Sequence, residues 1–311
     1  MKTDYDIIIV GGGPGGLTAG LYGARAEMKT LLLERFMPGG QIANTEEVED
    51  YPGFEHITGS ELATRMTNHA KKFGLEIVSE EVERVSARGE LRIVQTTERE
   101  LTASAVIVAT GGKPNLLNIP GEREYSGKGV SYCAICDGAF FKGQVIAVVG
   151  GGDAAVEEGV FLTKFGSKVI LIHRRDQLRA QKVIQTRAFA NPKMEFVWDT
   201  AVEEIVGDAK VKSLRLKNVR TGAKSSIDIG AIFVFVGFVP NSDVVKEEIK
   251  KDAAGYIITD DKMQTSFPGI YAIGDVRAQL VRQITNAVGD GTTAAMAAHK
   301  YIEQLHDHSA K

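Results

Sequence analysis

Cysteine is nearly absent. The chain of 311 residues holds two, and they stand together as Cys133-Ala134-Ile135-Cys136. A tetrahedral zinc site needs four ligands, and no second CxxC or paired-histidine spacing is present to complete one. A surplus of one charge is also missing. The 37 basic and 40 acidic residues give a net charge of -3, which offers nothing to draw a nucleic acid or a membrane surface. Long hydrophobic runs are missing as well, so no segment reaches the length of a membrane span. The apolar run Ile7-Ile8-Ile9-Val10 is too short for a secretory signal, and its lead-in, Met1 to Asp6, carries acids. These absences together predict a cytoplasmic protein, and in that reducing compartment an isolated CxxC is more often catalytic than a staple.

Two cysteines three positions apart in a turn can close a disulfide and open it again, and a helix start favours thiolate character. Asp137 and Gly138 follow at once. The acid supplies a proton donor where a thiolate leaves. It equally suits the N-cap of a following helix, and the two roles are compatible. The alternative for the cysteines is a pair of buried thiols. The 43% hydrophobic and 25% charged content is that of a globular chain, and 311 residues suggest about two domains.

Glycine is plentiful at 34, much of it in short runs. Ile7 to Val10 has the pattern of a buried parallel strand. It leads into Gly11-Gly12-Gly13-Pro14-Gly15-Gly16 and a helical stretch from about Leu17 to Ala26, with a second strand from Thr30 to Leu33. Gly11, Gly13 and Gly16 form GxGxxG between strand and helix. The first glycine permits the tight turn, the second lets the backbone approach a pyrophosphate, and the third lets helix and strand pack closely. Glu34 follows Gly11 by 23 positions, where an acid hydrogen-bonds a ribose 2′-OH. The layout recurs. Val145 to Val149 precedes Gly150, Gly152 and Ala155 in GxGxxA, a helical run extends to about Phe165, and Lys168 to Ile172 is the next strand. His173 follows Gly150 by the same 23 positions, and Arg174, Arg175 and Arg179 come after it. An acid here suits a free ribose hydroxyl, as in FAD or NAD, whereas arginines suit the 2′-phosphate of NADP. The alternative for the arginines is a solvated helix start. Two nucleotide units with a dithiol between them describe a flavin disulfide reductase.

At this point the chain resembles the low-molecular-weight, bacterial-type thioredoxin reductases over nearly its whole length. The motifs that carry the resemblance are the two glycine runs, Gly39-Gly40-Gln41, Ala109-Thr110-Gly111, Cys133 to Gly138, His173-Arg174-Arg175 with Arg179, Gly274-Asp275 and Arg282-Gln283. The resemblance implies an α/β fold of two Rossmann-like dinucleotide-binding domains, for FAD and NADPH, the second inserted in the first. The expected boundaries are 1–114 and 242–311 for the FAD domain and 115–241 for the NADPH domain. Gly112 with Pro114 and Gly237 with Pro240 mark the two crossings. It further implies that Gly40, Gln41, Thr110 and Gly111 help hold FAD, that Asp275 holds the ribityl chain, and that Arg282 and Gln283 face the isoalloxazine. The helix expected from Gln283 to Leu305 is rich in alanine, from close packing on the nucleotide or a second subunit, or from helix propensity alone.

The implied reaction passes electrons from NADPH through FAD to the Cys133–Cys136 disulfide and on to thioredoxin. Cys136 is then the flavin-facing sulfur, Cys133 the one that attacks the substrate, and Asp137 the acid. No metal is implied, and a homodimer is. A ferredoxin-dependent relative is expected to lack the intact nicotinamide site that this chain has. Two departures stand out: Asp50 replaces an Asn common in the family and is left out of the site, and Ala139 stands where an aromatic is common.

Overall fold

Strands that are apolar at every position cannot leave a face in water, and the chain buries them on both faces. The structure is a computed structural model that describes residues 3–45 and 48–309; Met1 and Lys2, at the head of the acidic lead-in, lie outside the described residues. The chain divides into two compact units, Met1–Lys113 with Val239–Lys311, and Pro114–Phe238.

In the first unit the strand Tyr5–Val10 lies between Thr30–Leu33 and Glu100–Val108, parallel to both, with Val10 level with Leu33 and Val108. Glu76–Val78 extends the sheet beyond Thr30–Leu33. The nine-residue strand Glu100–Val108 changes partner along its free edge. Its first half pairs antiparallel with Leu91–Thr96, and its second half pairs parallel with Ile270–Ala272. Alternation sends Ile7, Ile9, Leu32 and Ile107 to one face and Ile8, Val10, Leu31 and Val106 to the other. Each face has its own buried cluster, which is why these strands show no polar alternation.

The long helix runs Ile284–Ser309, further than the sequence predicts. Its alanines serve packing: Ala294, Ala295 and Ala298 are buried in the same cluster as Leu17 and Ala19 of the helix Pro14–Arg25. A Cβ on Gly291 would lie 2.4 Å from the Gly15 carbonyl oxygen, so the two helices approach backbone to backbone. That contact holds the first glycine-rich loop from behind.

The second unit repeats the plan. Its parallel sheet has the order Met194–Val197, Lys168–Ile172, Val145–Gly150, Ala231–Phe235, Val130–Ser131. Val149 is level with Ile172, as Val10 is with Leu33. A separate antiparallel sheet of Thr200–Gly207, Val211–Asn218 and Lys224–Asp228 completes the unit. The two crossings, Gly112–Pro114 and Phe238–Pro240, pair as a two-stranded ribbon. Beside it the Asn115 N–H donates to the Gly237 carbonyl at 2.9 Å.

Candidate active site: a dithiol and two glycine-rich loops

The three glycines of the first loop do three different things. Gly11 has φ +109°, and a Cβ on it would meet the Ala109 carbonyl oxygen at 2.4 Å. A Cβ on Gly16 would meet the Gly11 carbonyl oxygen at 1.9 Å, so this position is fixed by helix-on-strand packing. A Cβ on Gly13 would meet nothing within 4 Å, although Gly13 has ordinary extended backbone and caps the helix without a side-chain partner. Open space before uncapped helix N–H groups is what a pyrophosphate requires. Glu34 ends its strand beside this loop. Its Oε2 accepts from Gly12 N–H at 2.7 Å and its Oε1 from Phe36 N–H at 3.1 Å. Each carboxylate oxygen keeps a further lone pair for a ribose hydroxyl.

Gly39, Gly40 and Gln41 lie over the same loop. Gly39 N–H donates to the Gly12 carbonyl at 2.7 Å, and a Cβ on Gly40 would come 3.0 Å from Gly13 Cα. Gln41 Nε2 donates to the Gly112 carbonyl at 2.5 Å. The Thr110 hydroxyl is taken up by the returning chain: it donates to the Asn241 carbonyl at 2.7 Å, while Asn241 Nδ2 donates back to the Thr110 carbonyl at 2.9 Å. Asn241 N–H also reaches the Gly111 carbonyl at 2.9 Å. Sequence reasoning missed Asn241, and only its place after Pro240 at a crossing hinted at it. Asp50 is exposed.

Further along this unit, Asp275 sits in the turn Gly274–Val276. Burial pushes its carboxyl above the ordinary range, the Arg282 guanidinium pulls it back, and Asp290 adds to the rise. The Arg282 guanidinium lies 4.3 Å from the centroid of the Tyr256 ring, and Gln283 directly precedes the long helix. Asp290, also missed, anchors the turn: its Oδ2 accepts from Gly274 N–H at 3.0 Å, and Arg277 Nη1 donates to its Oδ1 at 3.2 Å. Nearby in sequence, Gln279 Nε2 is buried without a protein acceptor. The open Gly13 cradle, the fixed Glu34 carboxylate and this unused donor all fit a bound dinucleotide.

The second loop is built alike. Gly150 has φ +155°, and a Cβ on it would meet Ala155 Cβ and the Phe235 carbonyl oxygen, each at 2.5 Å. A Cβ on Gly152 would meet nothing within 4 Å. The helix Asp153–Leu162 begins there, ending before the predicted Phe165. His173 occupies the place Glu34 has in the first unit. A Cβ on Gly151 would strike its ring at 2.3 to 2.6 Å, and its Nε2 is buried without a partner. Burial lowers its pKa, and Arg179, Arg175 and Arg174 lower it further. The basic position that the sequence predicts is thus a buried imidazole, with the exposed guanidinium groups of Arg174, Arg175 and Arg179 following it.

Those arginines reach the loop through two backbone links. Arg179 N–H donates to the Gly151 carbonyl at 2.7 Å, and Gln181 N–H donates to Asp153 Oδ1 at 2.7 Å. Arg174, Arg175 and Arg179 are exposed and line an open cavity of about 570 Å³. Arg220 lines it too, and no sequence spacing pointed to that residue.

The dithiol follows the edge strand Val130–Ser131. Cys133 and Cys136 are bonded, with Cα atoms 5.3 Å apart. Cys133 caps the short helix Ala134–Asp137, and its Sγ accepts from Cys136 N–H at 3.2 Å. Ser131, only 4% exposed, accepts from Cys133 N–H at 3.1 Å and donates to Asp137 Oδ2 at 2.6 Å. Asp137 is therefore fixed beside the cysteines by a hydroxyl that sequence reasoning missed. Gly138 is required by packing, since a Cβ there would lie 2.9 Å from Leu162 Cδ2. Among the described residues, no group of three or more His, Cys, Asp or Glu side chains is placed to hold a metal ion.

Comparison with known proteins agrees with this geometry. Residues 5–291 match the family described as pyridine nucleotide-disulphide oxidoreductase. The thioredoxin reductases of Bacillus subtilis (strain 168) and Listeria innocua are each 48% identical to the chain, covering 97% of it and 96% and 95% of their own lengths. The crystal structure of thioredoxin reductase from Streptococcus pyogenes MGAS5005 superposes with a TM-score of 0.94 at 48% identity, covering 96% of this chain and 98% of that one. The enzyme of Giardia duodenalis gives 0.92 at 36% identity, over 96% and 99%. The chain belongs to the pyridine nucleotide-disulphide oxidoreductases, within the group of bacterial-type thioredoxin reductases.

Proposed function

We propose that the chain is an NADPH-dependent thioredoxin-disulfide reductase, with FAD in the first unit and NADPH on the second. The observation that carries this reading is the Cys133–Cys136 disulfide with Asp137 held beside it, in the same unit as an arginine-walled cavity. Bound FAD supplies the two-electron relay between NADPH and that disulfide. Gly11, Gly13, Gly16, Glu34, Gly40, Gln41, Thr110, Gly111, Asp275, Arg282 and Gln283 would hold it. Gly150, Gly152, Ala155, His173, Arg174, Arg175 and Arg179 would hold NADPH.

NADPH and one proton convert the disulfide to two thiols. Cys133 then attacks the thioredoxin disulfide as a thiolate, a state favoured by the N–H that its sulfur accepts from Cys136. A mixed disulfide forms and one thioredoxin sulfur departs, taking its proton from Asp137. Cys136 attacks Cys133 Sγ, releases the second thioredoxin sulfur and restores the disulfide. Thioredoxin lies near about −270 mV, which calls for a donor as reducing as NADPH.

Asp153, which could repel the pyrophosphate, is already turned to Gln181 N–H. The protein acts as a homodimer in the cytoplasm, by its resemblance to the family. No described helix is long and apolar enough to cross a membrane. The decisive experiment is anaerobic titration of the flavin absorbance with NADPH and with NADH, followed by thioredoxin reduction by Cys136→Ser. Bleaching by NADPH at much lower concentration than by NADH, with thioredoxin reduction abolished in the variant, is expected. Equal potency of the two nucleotides would sink the assignment of the arginines.

A further inference from the structure

The cavity beside His173 has a wall that comes from another sheet. Arg174, Arg175 and Arg179 follow a strand of the parallel sheet, whereas Arg220 sits in the turn between Val211–Asn218 and Lys224–Asp228 of the antiparallel one. Asp199 splices the two. Its backbone has φ +49°. Its N–H donates to the Arg175 carbonyl at 3.2 Å, and its carbonyl accepts from Val219 N–H at 2.6 Å. Asn218 Oδ1 accepts from Arg220 N–H at 3.0 Å and from Thr221 N–H at 2.9 Å, which fixes the turn. Arg220 is thus delivered to the cavity by backbone geometry rather than by a freely swinging chain.

The side chains add a second argument. Arg220 Nη1 lies 3.4 Å from Asp199 Oδ2, with the Arg220 side chain 69% exposed and that of Asp199 20% exposed. A guanidinium has five N–H donors in a fixed fork. One long contact leaves the others for a ligand. The Asp199 carboxylate also faces the cavity that the three other arginines line, and unscreened it would repel an anion there. Arg220 neutralises that repulsion and adds donors of its own. Among the described residues, Arg174, Arg175 and Arg179 form no ion pair, and Asp176 lines the cavity beside them, so two carboxylates and four guanidinium groups share its wall.

We infer that Arg220 is a specificity-determining residue for the 2′-phosphate of NADPH, acting both as a fourth guanidinium of its pocket and as the screen that masks Asp199. This rests on the reading of the second unit as the NADPH site. The ligand chemistry is a ribose 2′-phosphomonoester, so 2′,5′-ADP serves as the probe and 5′-AMP as the control lacking that group.

Calorimetric binding of both to the FAD-loaded enzyme tests the inference. Arg220→Ala should weaken 2′,5′-ADP about tenfold, because it removes a charge-assisted hydrogen bond and unmasks a carboxylate, with 5′-AMP changed less than about twofold. Arg220→Lys should fall between. Arg220→Ala combined with Asp199→Asn should recover the part of that affinity lost to the unmasked carboxylate but not the part lost with the guanidinium donor, a partial rescue that a merely structural role would not produce. If Arg220→Ala binds 2′,5′-ADP like the wild type, or weakens 5′-AMP to the same degree, the role of Arg220 is overturned while the NADPH reading stands. If the wild type itself does not prefer 2′,5′-ADP to 5′-AMP, the NADPH reading and the inference fall together.

Discussion

Ser131 has one hydroxyl hydrogen and two acceptors within reach, the Cys133 carbonyl at 3.3 Å and Asp137 Oδ2 at 2.6 Å. The shorter, charge-assisted contact wins, so the hydroxyl receives from Cys133 N–H and donates to Asp137. It ties the turn that carries one sulfur to the carboxylate proposed as the acid. Ser131→Ala should lower kcat for thioredoxin reduction by about three- to tenfold, since positioning of a general acid is worth a part of its total effect. The check is the steady-state rate of thioredoxin reduction, with bleaching by NADPH as the step that should not change. A rate identical to the wild type would show that Asp137 does not depend on this hydroxyl. The cysteine pair and Asp137 were legible in the sequence because they are neighbours. Ser131 was two residues away and still overlooked, since nothing in its type distinguishes a positioning hydroxyl from a strand-end polar residue. Arg220 was out of reach for a different reason: its link to Arg175 runs through Asp199 and a turn of another sheet.

At the scale of elements, the strand–loop–helix units were legible because a short-range pattern determines them. Parallel pairing sets Val10 level with Leu33 and Val149 level with Ile172, so the residue after each partner strand must arrive beside the glycine loop. The common 23-residue offset is the sequence image of that register. Helix ends were less legible, and the helix after the second loop stops at Leu162 rather than Phe165. What the residue pattern could not separate is which glycines serve the fold and which serve the ligand. The structure separates them by what a methyl group would touch. Gly16→Ala drives a Cβ to 1.9 Å from a backbone oxygen that cannot move aside. It should cost about 1–3 kcal/mol of stability, the usual range for forced overpacking. Gly13→Ala meets no protein atom and keeps an allowed backbone, φ −70° and ψ −178°. It should leave the thermal midpoint of the FAD-free protein nearly unchanged and lower the flavin content of the purified protein. Thermal unfolding with and without added FAD distinguishes the two, and an equal loss of stability of the FAD-free protein in both variants would refute the division. The alanines of Ile284–Ser309 follow the same logic: Ala294, Ala295 and Ala298 are buried in one cluster with Leu17 and Ala19.

For the whole molecule, the two crossings are the only covalent route between the units, and they pair with each other. Gly112–Pro114 and Phe238–Pro240 form one ribbon, and Gly237 holds φ +126° where a Cβ would strike Asn115 Nδ2 at 2.6 Å. A paired ribbon bends or twists as one element, which suits a hinge better than two independent linkers do. The chemistry asks for such a hinge. A single dithiol must accept electrons at a flavin ring and then present Cys133 to a disulfide on a protein surface. One geometry cannot bury a sulfur against the ring and expose it to thioredoxin. On the proposed division of labour between Cys133 and Cys136, the expected outcome is that the inserted unit turns about the ribbon in each cycle, so that turnover includes a step that is motion rather than chemistry. Engineered cysteines, one in each unit and joined by a short bismaleimide after purification, should stop steady-state reduction of thioredoxin. One half-reaction should survive in the joined protein: either bleaching of the flavin absorbance by NADPH, or reduction of thioredoxin by a Cys133–Cys136 dithiol that was kept as the disulfide during crosslinking, then reduced with dithiothreitol and desalted. A parallel sample with a linker of several nanometres controls for the added cysteines and should retain most of its rate. Full turnover in the short-linked protein would show that both encounters occur in one arrangement, and the division of labour between Cys133 and Cys136 would then need no moving domain.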